Sequence, residues 1–376
     1  MLTPKISHRV DIPFAKPIVT EEMKEAAVQA FQNEHFVLGE SVYRFEEEFA
    51  RFCGVSHAVS ISSGTTALFL TIKALGIRTK RAILTTPMSF IATANAIIQA
   101  GATPRFVDVV PQSALISPED VRLIGKHCSA IIPVHLYGTP VDINGMRDNV
   151  GESVPVIEDA CQAHGAMIGK SRVGSLGVAG CFSFYSTKNM TVGGDGGMVT
   201  TNDDHLAETL RKLRDCGRIS HYEHDEIGYT ARLNTINAAI GRVQLKNLEK
   251  WNQRRKQLGS RYRKNLSTVS ELTVSEPPSH ADSVYHLYVI TAQSRDSLKE
   301  YLKDRGVATQ IHYPIPIHLQ PIYQKLYHYT PGMFPNAENH ARTALSLPMY
   351  PELSDENVDY ISETIRSFFS TRGGGD

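Results

Sequence analysis

No run of 18 apolar residues occurs in the 376-residue sequence, which argues against a membrane-spanning helix. The N-terminal segment also lacks a long apolar core, and we therefore expect a cytoplasmic protein. The formal net charge is zero, with 39 Lys and Arg against 39 Asp and Glu, so no overall field favours nucleic acid or an anionic membrane. Small molecules and copies of the chain itself are the expected partners.

The five cysteines are odd in number and widely spaced, and no Cys-x-x-Cys pair occurs. That pattern indicates neither a disulfide framework nor a zinc site, so we interpret these cysteines as small buried apolar residues. The fifteen histidines show no His-Glu-x-x-His spacing or similar set of ligands, and we therefore expect no metal site.

The order of the predicted elements favours an α/β fold. Short apolar runs predict strands, and segments with helical spacing lie between them. The predicted strands span residues 57–61, 82–85, 105–108, 130–134 and 154–159. Such alternation predicts a large domain with a mostly parallel central sheet and helices on both faces.

The composition changes near residues 251–255, where the chain becomes basic and polar. We place a domain boundary there, which gives a large domain over 1–250 and a smaller C-terminal α+β domain over 251–376. A helix is predicted over 236–248, before this boundary, and a strand over 284–290, beyond it.

Lys188 stands between a predicted strand and a glycine-rich segment. Residues 181–185 alternate aromatic and small side chains, which predicts a partly buried strand that ends shortly before the lysine. Four glycines within 193–197 allow the backbone to approach a ligand or another chain closely. A lysine at a strand end can be partly desolvated, which lowers its pKa and makes it a nucleophile toward a carbonyl. This stretch alone fits a surface lysine before a flexible loop equally well.

Two further features accompany predicted strand ends. Residues 62–66, Ser-Ser-Gly-Thr-Thr, lie between a strand and an apolar helix, where unpaired N–H groups can hold a phosphate or where the residues merely cap the helix. Asp159 ends another strand, and it either meets a ligand or caps the next helix. Its neighbour Glu158 is either solvated or directed to the opposite face of the strand.

Together, Lys188, Asp159 and the turn at 63–65 suit the cofactor pyridoxal 5'-phosphate (PLP). The aldehyde of PLP needs a lysine to form a Schiff base, and its pyridine nitrogen needs a carboxylate that keeps it protonated. Its phosphate needs backbone donors at a helix start. The sequence supplies all three in a plausible chain order.

Several segments, in order along nearly the whole chain, resemble the DegT/DnrJ/EryC1/StrS family of PLP-dependent sugar aminotransferases. The similar segments are SSGTTAL at 62–68, FIATANAI at 90–97, GATPRFVDV at 101–109, IIPVHLYG at 131–138, VIEDACQAHGA at 156–166, GCFSFYSTKN at 180–189, GDGGMVTT at 194–201, RLNTINAA at 232–239 and LSLPMYPELSDE at 345–356. The resemblance implies fold type I, with a large cofactor-binding domain and a smaller C-terminal domain.

The resemblance also implies a role for individual residues. Lys188 is expected to form the Schiff base and to transfer the proton, and Asp159 is expected to pair with the pyridinium nitrogen. The other expected cofactor contacts are Gly64, Thr65, Thr66 and Ser183 at or near the phosphate, Phe90 stacked on the ring, and Gln162 near the ring hydroxyl. One branch of the family carries histidine at the lysine position and performs dehydration, so Lys188 favours transamination.

One segment departs from the family pattern. Many members carry an asparagine in the segment that matches 228–233, and it reaches the phosphate bound to the partner subunit. This sequence has GYTARL there, without asparagine. Thr230 could donate a hydrogen bond instead, or Arg232 could supply a charge-assisted one. Arg232 could equally form a structural ion pair.

The resemblance further implies the substrates. Tyr185, His312 and Tyr313 are the expected substrate contacts, and the loop at 310–320 is similar to members that aminate C3 of nucleotide-linked 3-keto-6-deoxyhexoses. The expected reaction moves an amino group from an amino acid, L-glutamate by family precedent, to such a sugar. Because one site must accept a carboxylate and a diphosphate-bearing sugar in turn, we expect cationic side chains nearby. A homodimer with active sites at its interface is also expected.

Three alternatives stay open at this point. The nearest variant is C4 amination of a nucleotide-linked 4-keto sugar. Amination of a non-nucleotide ketose or cyclitol is a second. The third is a PLP-binding regulatory protein that keeps the fold without turnover, against which the intact Lys188 and Asp159 argue.

Overall fold

The structure of the protein, a computed structural model, describes residues 11–77, 79–151, 153–274, 277–279 and 281–371. The helices are α1 (Glu21–Asn33), α2 (Glu40–Cys53), α3 (Gly64–Ala74), α4 (Ala92–Gln99), α5 (Pro118–Ile124), α6 (Ile143–Val150), α7 (Asp204–Arg214), α8 (Thr235–Leu266), α9 (Arg295–Asp304), α10 (Pro321–Tyr327), α11 (Pro335–Thr343) and α12 (Asp355–Ser370). The strands are β1 (His57–Ile61), β2 (Ala82–Thr85), β3 (Thr103–Phe106), β4 (Ala130–Ile131), β5 (Ile157–Asp159), β6 (Met167–Ile168), β7 (Ser171–Arg172), β8 (Ala179–Ser183), β9 (Gly197–Thr201), β10 (Leu272–Val274), β11 (Ala281–Asp282), β12 (Tyr288–Ala292) and β13 (Ala344–Leu347). No helix in these ranges is both long and apolar enough to cross a membrane.

Within the described residues, seven strands form one central sheet in the order β3-β2-β4-β5-β8-β9-β1. Isolated parallel bridges join β4 to β5, one of them between Val134 and Asp159. Neighbours from β3 to β8 are parallel, whereas β9 runs antiparallel to both β8 and β1. The predicted mostly parallel sheet is confirmed.

Both faces of this sheet are covered by helices. On one face, Cys181 of β8 and Val199 of β9 belong to a buried cluster that includes apolar residues of α3 and α7. On the other face, Phe182 and Met198 belong to a cluster that includes residues of α2 and α8. Successive strand residues point to opposite faces, and since both faces are covered, β8 and β9 are buried at nearly every position.

The C-terminal part of the chain has a core of its own. The antiparallel strands β10, β12 and β13 pack with α9, α12 and the last turns of α8. Ile12 also belongs to this core and forms a parallel bridge with Val307. Because α8 continues for 32 residues, it runs through the boundary expected near residue 250 and serves both cores. The division into 1–250 and 251–376 stays a prediction.

Two predicted strands are shifted in the structure. The strand predicted over 284–290 is β12, Tyr288–Ala292. The preceding residues Val284 and Leu287 donate their N–H groups to carbonyls of the Tyr137–Gly138 turn, and these bonds replace sheet pairing. The strand predicted over 181–185 is β8, Ala179–Ser183, so Lys188 lies farther beyond the strand end than the pattern predicts.

Candidate active site

A cavity of about 500 Å³ opens where β1, β2, β5 and β8 end. Asp159 ends β5 and lies opposite Cys181 of the parallel neighbour β8. The carboxyl ends of parallel strands share one edge of a sheet, so turns that are far apart in sequence meet here. The predicted site residues that line the cavity are Gly64, Thr65, Phe90, Asp159, Gln162, Ser183, Tyr185, Lys188, His312 and Tyr313.

Lys188 lies in a tight turn after β8, where its N–H donates to the Tyr185 carbonyl at 2.9 Å. Its side chain is partly buried and reaches the cavity. Burial lowers the pKa of Lys188, while the nearby Cys161 and Asp159 act in the opposite direction. More of this amine is therefore neutral than in an exposed lysine at the same pH, and the neutral amine is the nucleophilic form.

The Asp159 carboxylate is buried and held by two donors. The Thr93 hydroxyl donates to Oδ2 at 2.7 Å, and the Cys161 N–H donates to Oδ1 at 3.2 Å. Ser89 lies behind Thr93, with 2.8 Å between the two hydroxyl oxygens. Since the Thr93 proton is directed at Asp159, Ser89 donates to Thr93. Together the two bonds fix the orientation of the Asp159 carboxylate.

Glu158 points away from the cavity and is fully buried. Its carboxylate accepts hydrogen bonds at 2.8 to 2.9 Å from the N–H groups of Gly174, Leu176 and Gly177. His135 Nε2 lies 3.0 Å away, and because His135 Nδ1 accepts the Val141 N–H, the proton on Nε2 is directed at Glu158. Glu158 is therefore a structural anchor on the opposite face of β5.

The start of α3 presents free backbone donors to the cavity. The Ser63 side chain accepts the Thr66 N–H at 3.1 Å and caps the helix. The N–H groups of Gly64 and Thr65 have no acceptor within the described part of the chain. A Cβ on Gly64 would lie 2.7 Å from the Ser183 Cβ and 2.8 Å from the Cys161 Sγ, so only glycine lets this turn approach β8 so closely.

A loop from the C-terminal part of the chain closes one side of the cavity. Gln162 Nε2 donates to the Tyr313 hydroxyl at 3.2 Å, and Gln162 Oε1 accepts the Tyr137 N–H at 2.9 Å. The Tyr137 hydroxyl in turn donates to the His312 carbonyl. These contacts tie the His312–Tyr313 segment to the turns after β4 and β5.

Histidines in the cavity wall are uncharged near neutral pH. Burial, with Lys188 nearby, lowers the pKa of His312 to about 4. The same two causes, burial first, lower the pKa of His286, which contacts Asn189 at 3.1 Å. Lys188 is the only lysine or arginine among the described residues that line the cavity. The expectation of further cationic side chains near the site stays a prediction.

The sequence model of the DegT/DnrJ/EryC1/StrS aminotransferase family matches residues 17–366. The chain belongs to this family. A pleiotropic regulatory protein from Geobacillus stearothermophilus is 38% identical over 354 residues, which cover 93% of this chain and 94% of the relative. A UDP-N-acetyl-3-dehydro-alpha-D-glucosamine 3-aminotransferase from Acidithiobacillus ferrooxidans is 39% identical over 333 residues, which cover 88% of this chain and 89% of the relative.

The fold is similar to that of a solved member. A structure of S. venezuelae DesV in complex with a ketimine intermediate superposes with a TM-score of 0.90 and is 35% identical in sequence. The superposition covers 92% of this chain and 94% of DesV. Family membership and this fold confirm the predicted class of enzyme, a PLP-dependent sugar aminotransferase.

Two predicted cofactor contacts of this aminotransferase lie outside the cavity lining. The Thr66 hydroxyl lies 2.8 Å from the Ser63 hydroxyl and supports the helix cap. Arg232 forms an ion pair with Asp215, which is the structural alternative anticipated for it. Thr230 is exposed, with its hydroxyl 3.5 Å from the Cys216 sulfur. A contact from Thr230 or Arg232 to a partner subunit stays a prediction.

The sequence analysis misses eight lining residues: Leu68, Ser89, Ala92, Thr93, Cys161, Thr187, Asp195 and His286. Thr93 lies within the family-like segment at 90–97, but no local pattern indicates that it meets Asp159, 66 positions later. Asp195 carries a usable signal, because it stands among the four glycines that predict close approach to a ligand.

The donors of this aminotransferase suit PLP. Free N–H groups at the start of α3 match the phosphate, the buried Asp159 side chain matches the pyridine nitrogen, and Lys188 supplies the amine. Phe90 is 56% exposed within the cavity, so its ring is available to stack on an aromatic ligand. The residues present therefore fit the group that the family uses.

Proposed function

We propose that this aminotransferase moves an amino group from L-glutamate to C3 of a nucleotide-linked 3-keto-6-deoxyhexose. The observation that carries the proposal is the convergence of Lys188, Asp159 and the free N–H groups of α3 on one cavity. The preference for C3 rests on the loop at 310–320, whose His312 and Tyr313 line that cavity, and on the 3-aminotransferase from A. ferrooxidans among the relatives.

In this proposal, Gly64, Thr65 and Ser183 would hold the cofactor phosphate, Phe90 would stack on the ring, and Gln162 would contact the ring hydroxyl. Bound PLP supplies an electron sink for the electron pair released at the donor carbon. Asp159 would pair with the ring nitrogen, and the Thr93 hydroxyl and the Cys161 N–H hold its carboxylate in place for that contact.

Lys188 is the proposed proton carrier. In the first half-reaction its amine would remove a proton from the donor carbon of the amino acid, and in the second it would deliver a proton to the carbon of the sugar that gains the amino group. Burial serves this role because it lowers the pKa of Lys188 and keeps more of the amine in the basic, neutral form. The neutral His286 and His312 beside it add no positive charge that would repel the protonated cofactor.

The proposed substrate contacts lie along the rim of the cavity. Tyr185 is 51% exposed, and Tyr313 is held by Gln162 with its ring 6.1 Å from that of Phe90. Aromatic rings and hydroxyl groups at these positions suit a sugar ring, which has apolar faces and hydroxyl edges.

An absorption spectrum of the purified holoenzyme, before and after excess L-glutamate, tests the first half-reaction. We expect the band of the lysine-bound cofactor to be replaced by that of the aminated cofactor. If the protein binds no PLP, the role of Lys188 is wrong. A bound cofactor that responds to no amino acid would instead support the regulatory alternative. The relative from G. stearothermophilus is described as a pleiotropic regulatory protein.

The acceptor is tested by incubating the aminated enzyme with nucleotide-linked 3-keto and 4-keto sugars and determining the position of the new amine by NMR. We expect amination at C3. Amination at C4 would overturn the regiochemistry but leave the enzyme class in place. Turnover of a free ketose or cyclitol alone would overturn the nucleotide-linked substrate.

A further inference from the structure

Asp195 is a carboxylate in the cavity wall that the chemistry above does not use. It lies between Gly193–Gly194 and Gly196–Gly197, just before β9. Within the described part of the chain, its side chain has no hydrogen-bond or ion-pair partner, and it is exposed to the cavity. The other carboxylate of the lining, Asp159, already has two donors.

The backbone on both sides of Asp195 is fixed. Before it, Asn237 Nδ2 donates to the Val192 carbonyl at 2.5 Å. After it, the Gly196 carbonyl accepts the Phe184 N–H at 2.8 Å. A Cβ on Gly197 would lie 2.5 Å from the Ser63 carbonyl carbon, so this residue is packed directly against the turn before α3. The carboxylate is therefore presented from an anchored segment.

The charge of Asp195 limits what it can bind. A carboxylate accepts hydrogen bonds and offers none, so it suits the hydroxyl groups of a sugar ring. It repels both the diphosphate of a nucleotide sugar and the carboxylates of glutamate. No arginine among the described lining residues offsets that repulsion, and the wall histidines are neutral. A sugar ring is the part of either proposed substrate that fits beside Asp195.

We propose that Asp195 accepts hydrogen bonds from ring hydroxyl groups of the sugar substrate and thereby determines which sugars bind. The inference rests on the proposed function and adds to it a residue that serves the sugar half-reaction only. Asp195 contributes nothing to the binding of PLP or of the amino donor. Loss of the Asp195 charge should therefore weaken the reaction with the sugar and leave the reaction with glutamate unchanged. Loss of Lys188 or Asp159 should instead weaken both reactions.

The test uses Asp195→Asn, which keeps the size of the side chain, together with Asp304→Asn as a matched control. Asp304 is exposed at the end of α9 and does not line the cavity. The holoenzyme is mixed with L-glutamate, or separately with dTDP- and UDP-linked 3-amino and 4-amino sugars run in the reverse direction. Either amine converts the bound cofactor to the same aminated form, so one absorbance change measures both half-reactions.

We expect Asp195→Asn to raise the half-saturating concentration of the amino sugar about tenfold to a hundredfold, the range expected for a lost hydrogen bond to a charged group. Its limiting rate should change less, and the reaction with glutamate should stay within about twofold of wild type. Asp304→Asn should match wild type with both amines. The glutamate reaction also reports that the Asp195 variant is folded and loaded with cofactor.

Two other results would overturn the inference, and they are distinguishable. If wild type reacts with an amino sugar and Asp195→Asn reacts equally well, or loses both half-reactions to the same extent, the role of Asp195 is wrong and the proposed function stands. If wild type reacts with glutamate but with none of the amino sugars, the proposed substrate class is wrong, and the role of Asp195 is wrong with it.

Discussion

The Thr93 hydroxyl fixes the rotamer of Asp159 from a separate helix, α4. Replacement by valine keeps the shape of the side chain but leaves the Asp159 carboxylate without one of its two donors. Because a hydrogen bond to a charged group contributes about 1.5–3 kcal/mol, Thr93→Val should weaken PLP binding at least several-fold and slow the glutamate half-reaction. Titration of the apoprotein with PLP, followed by absorbance, measures the first effect.

Thr93→Ser is the matched control for this prediction, since serine keeps the donor. It should bind PLP nearly as tightly as wild type and show the same spectrum. Equal affinities for the valine and serine variants would show that the hydroxyl has no role in holding Asp159 for the cofactor.

The reactivity of Lys188 should depend on pH in a defined direction. Its amine attacks only when neutral, and burial lowers its pKa from the ordinary value of 10.5. The rate at which the apoprotein forms the lysine-bound cofactor should therefore rise with pH and level off below the range of an exposed lysine. Stopped-flow absorbance with excess PLP measures this profile. A midpoint at or above 10.5 would contradict the effect of burial.

The sequence predicts those site residues that can be identified from their immediate neighbours in the chain. Lys188, Asp159 and Gly64 each stand at a predicted strand end next to small or glycine residues, so a ligand site is readable from their immediate neighbours. The partners of Asp159 cannot be predicted in this way, because Thr93 is 66 positions away and meets Asp159 only in the folded chain. Arg232 shows the opposite case, since its ion pair with Asp215 follows from tertiary packing and leaves it outside the cavity.

At the scale of elements, the close approach of α3 to β8 determines the phosphate-binding end of the site. Gly64→Ala would place a Cβ within 2.8 Å of both Ser183 and Cys161 and so push the helix start away from the strand. Overpacking of this kind costs about 1–3 kcal/mol. We expect a lower melting temperature and weaker PLP binding, measured by calorimetry and by titration.

Gly194→Ala is the stability control for Gly64→Ala. Its added Cβ would have an ordinary contact, 3.5 Å from Asn237 Nδ2. The melting temperature of this variant should stay close to that of wild type. A similar loss of stability in both variants would point to a general effect of replacing glycine and would contradict the steric explanation.

The anchor formed by Glu158 should matter for stability. Glu158→Ala leaves three buried N–H groups and the His135 ring without their acceptor. Removing one partner from a buried, hydrogen-bonded charge costs about 3–5 kcal/mol. Chemical denaturation followed by circular dichroism should show a loss of this size. The exposed Glu25 of α1 is the control, and Glu25→Ala should change stability by less than about 0.5 kcal/mol.

The alternation of strands and helices predicts the sheet, but it predicts the bounds of single strands and helices less accurately. The pattern over 284–290 has the apolar character of a strand, yet its first residues bond to the Tyr137–Gly138 turn. The helix predicted over 236–248 continues to Leu266, because the polar segment after residue 250 is a helix surface rather than a linker. Both differences depend on contacts with distant parts of the chain.

At the scale of the whole molecule, several large apolar side chains are exposed. Tyr222 is 86% exposed and Ile227 is 90% exposed, on the loop that precedes the GYTARL segment. Phe90 and Tyr185 are about half exposed at the cavity. These surfaces support the proposal of a homodimer whose interface borders the active site.

Light scattering coupled to size-exclusion chromatography tests that proposal. Wild type should have twice the mass of one chain. Ile227→Asp, which places a charge on the exposed loop, should shift the equilibrium toward the monomer and lower activity in parallel. Glu25→Asp, on the exposed surface of α1, serves as a control. A wild-type monomer with full activity would contradict the homodimer.

The position of β9 also sets the order in which the site can form during synthesis. β1 emerges from the ribosome early, but its partner in the sheet is β9, and Gly197 at the start of β9 packs against the turn that holds the free N–H groups. The remaining wall arrives later still, with His312 and Tyr313. A nascent chain therefore has no complete cofactor site until most of its length has been translated. PLP can therefore bind only after Tyr313 has been added, and its binding then stabilises chains in which these distant segments have come together.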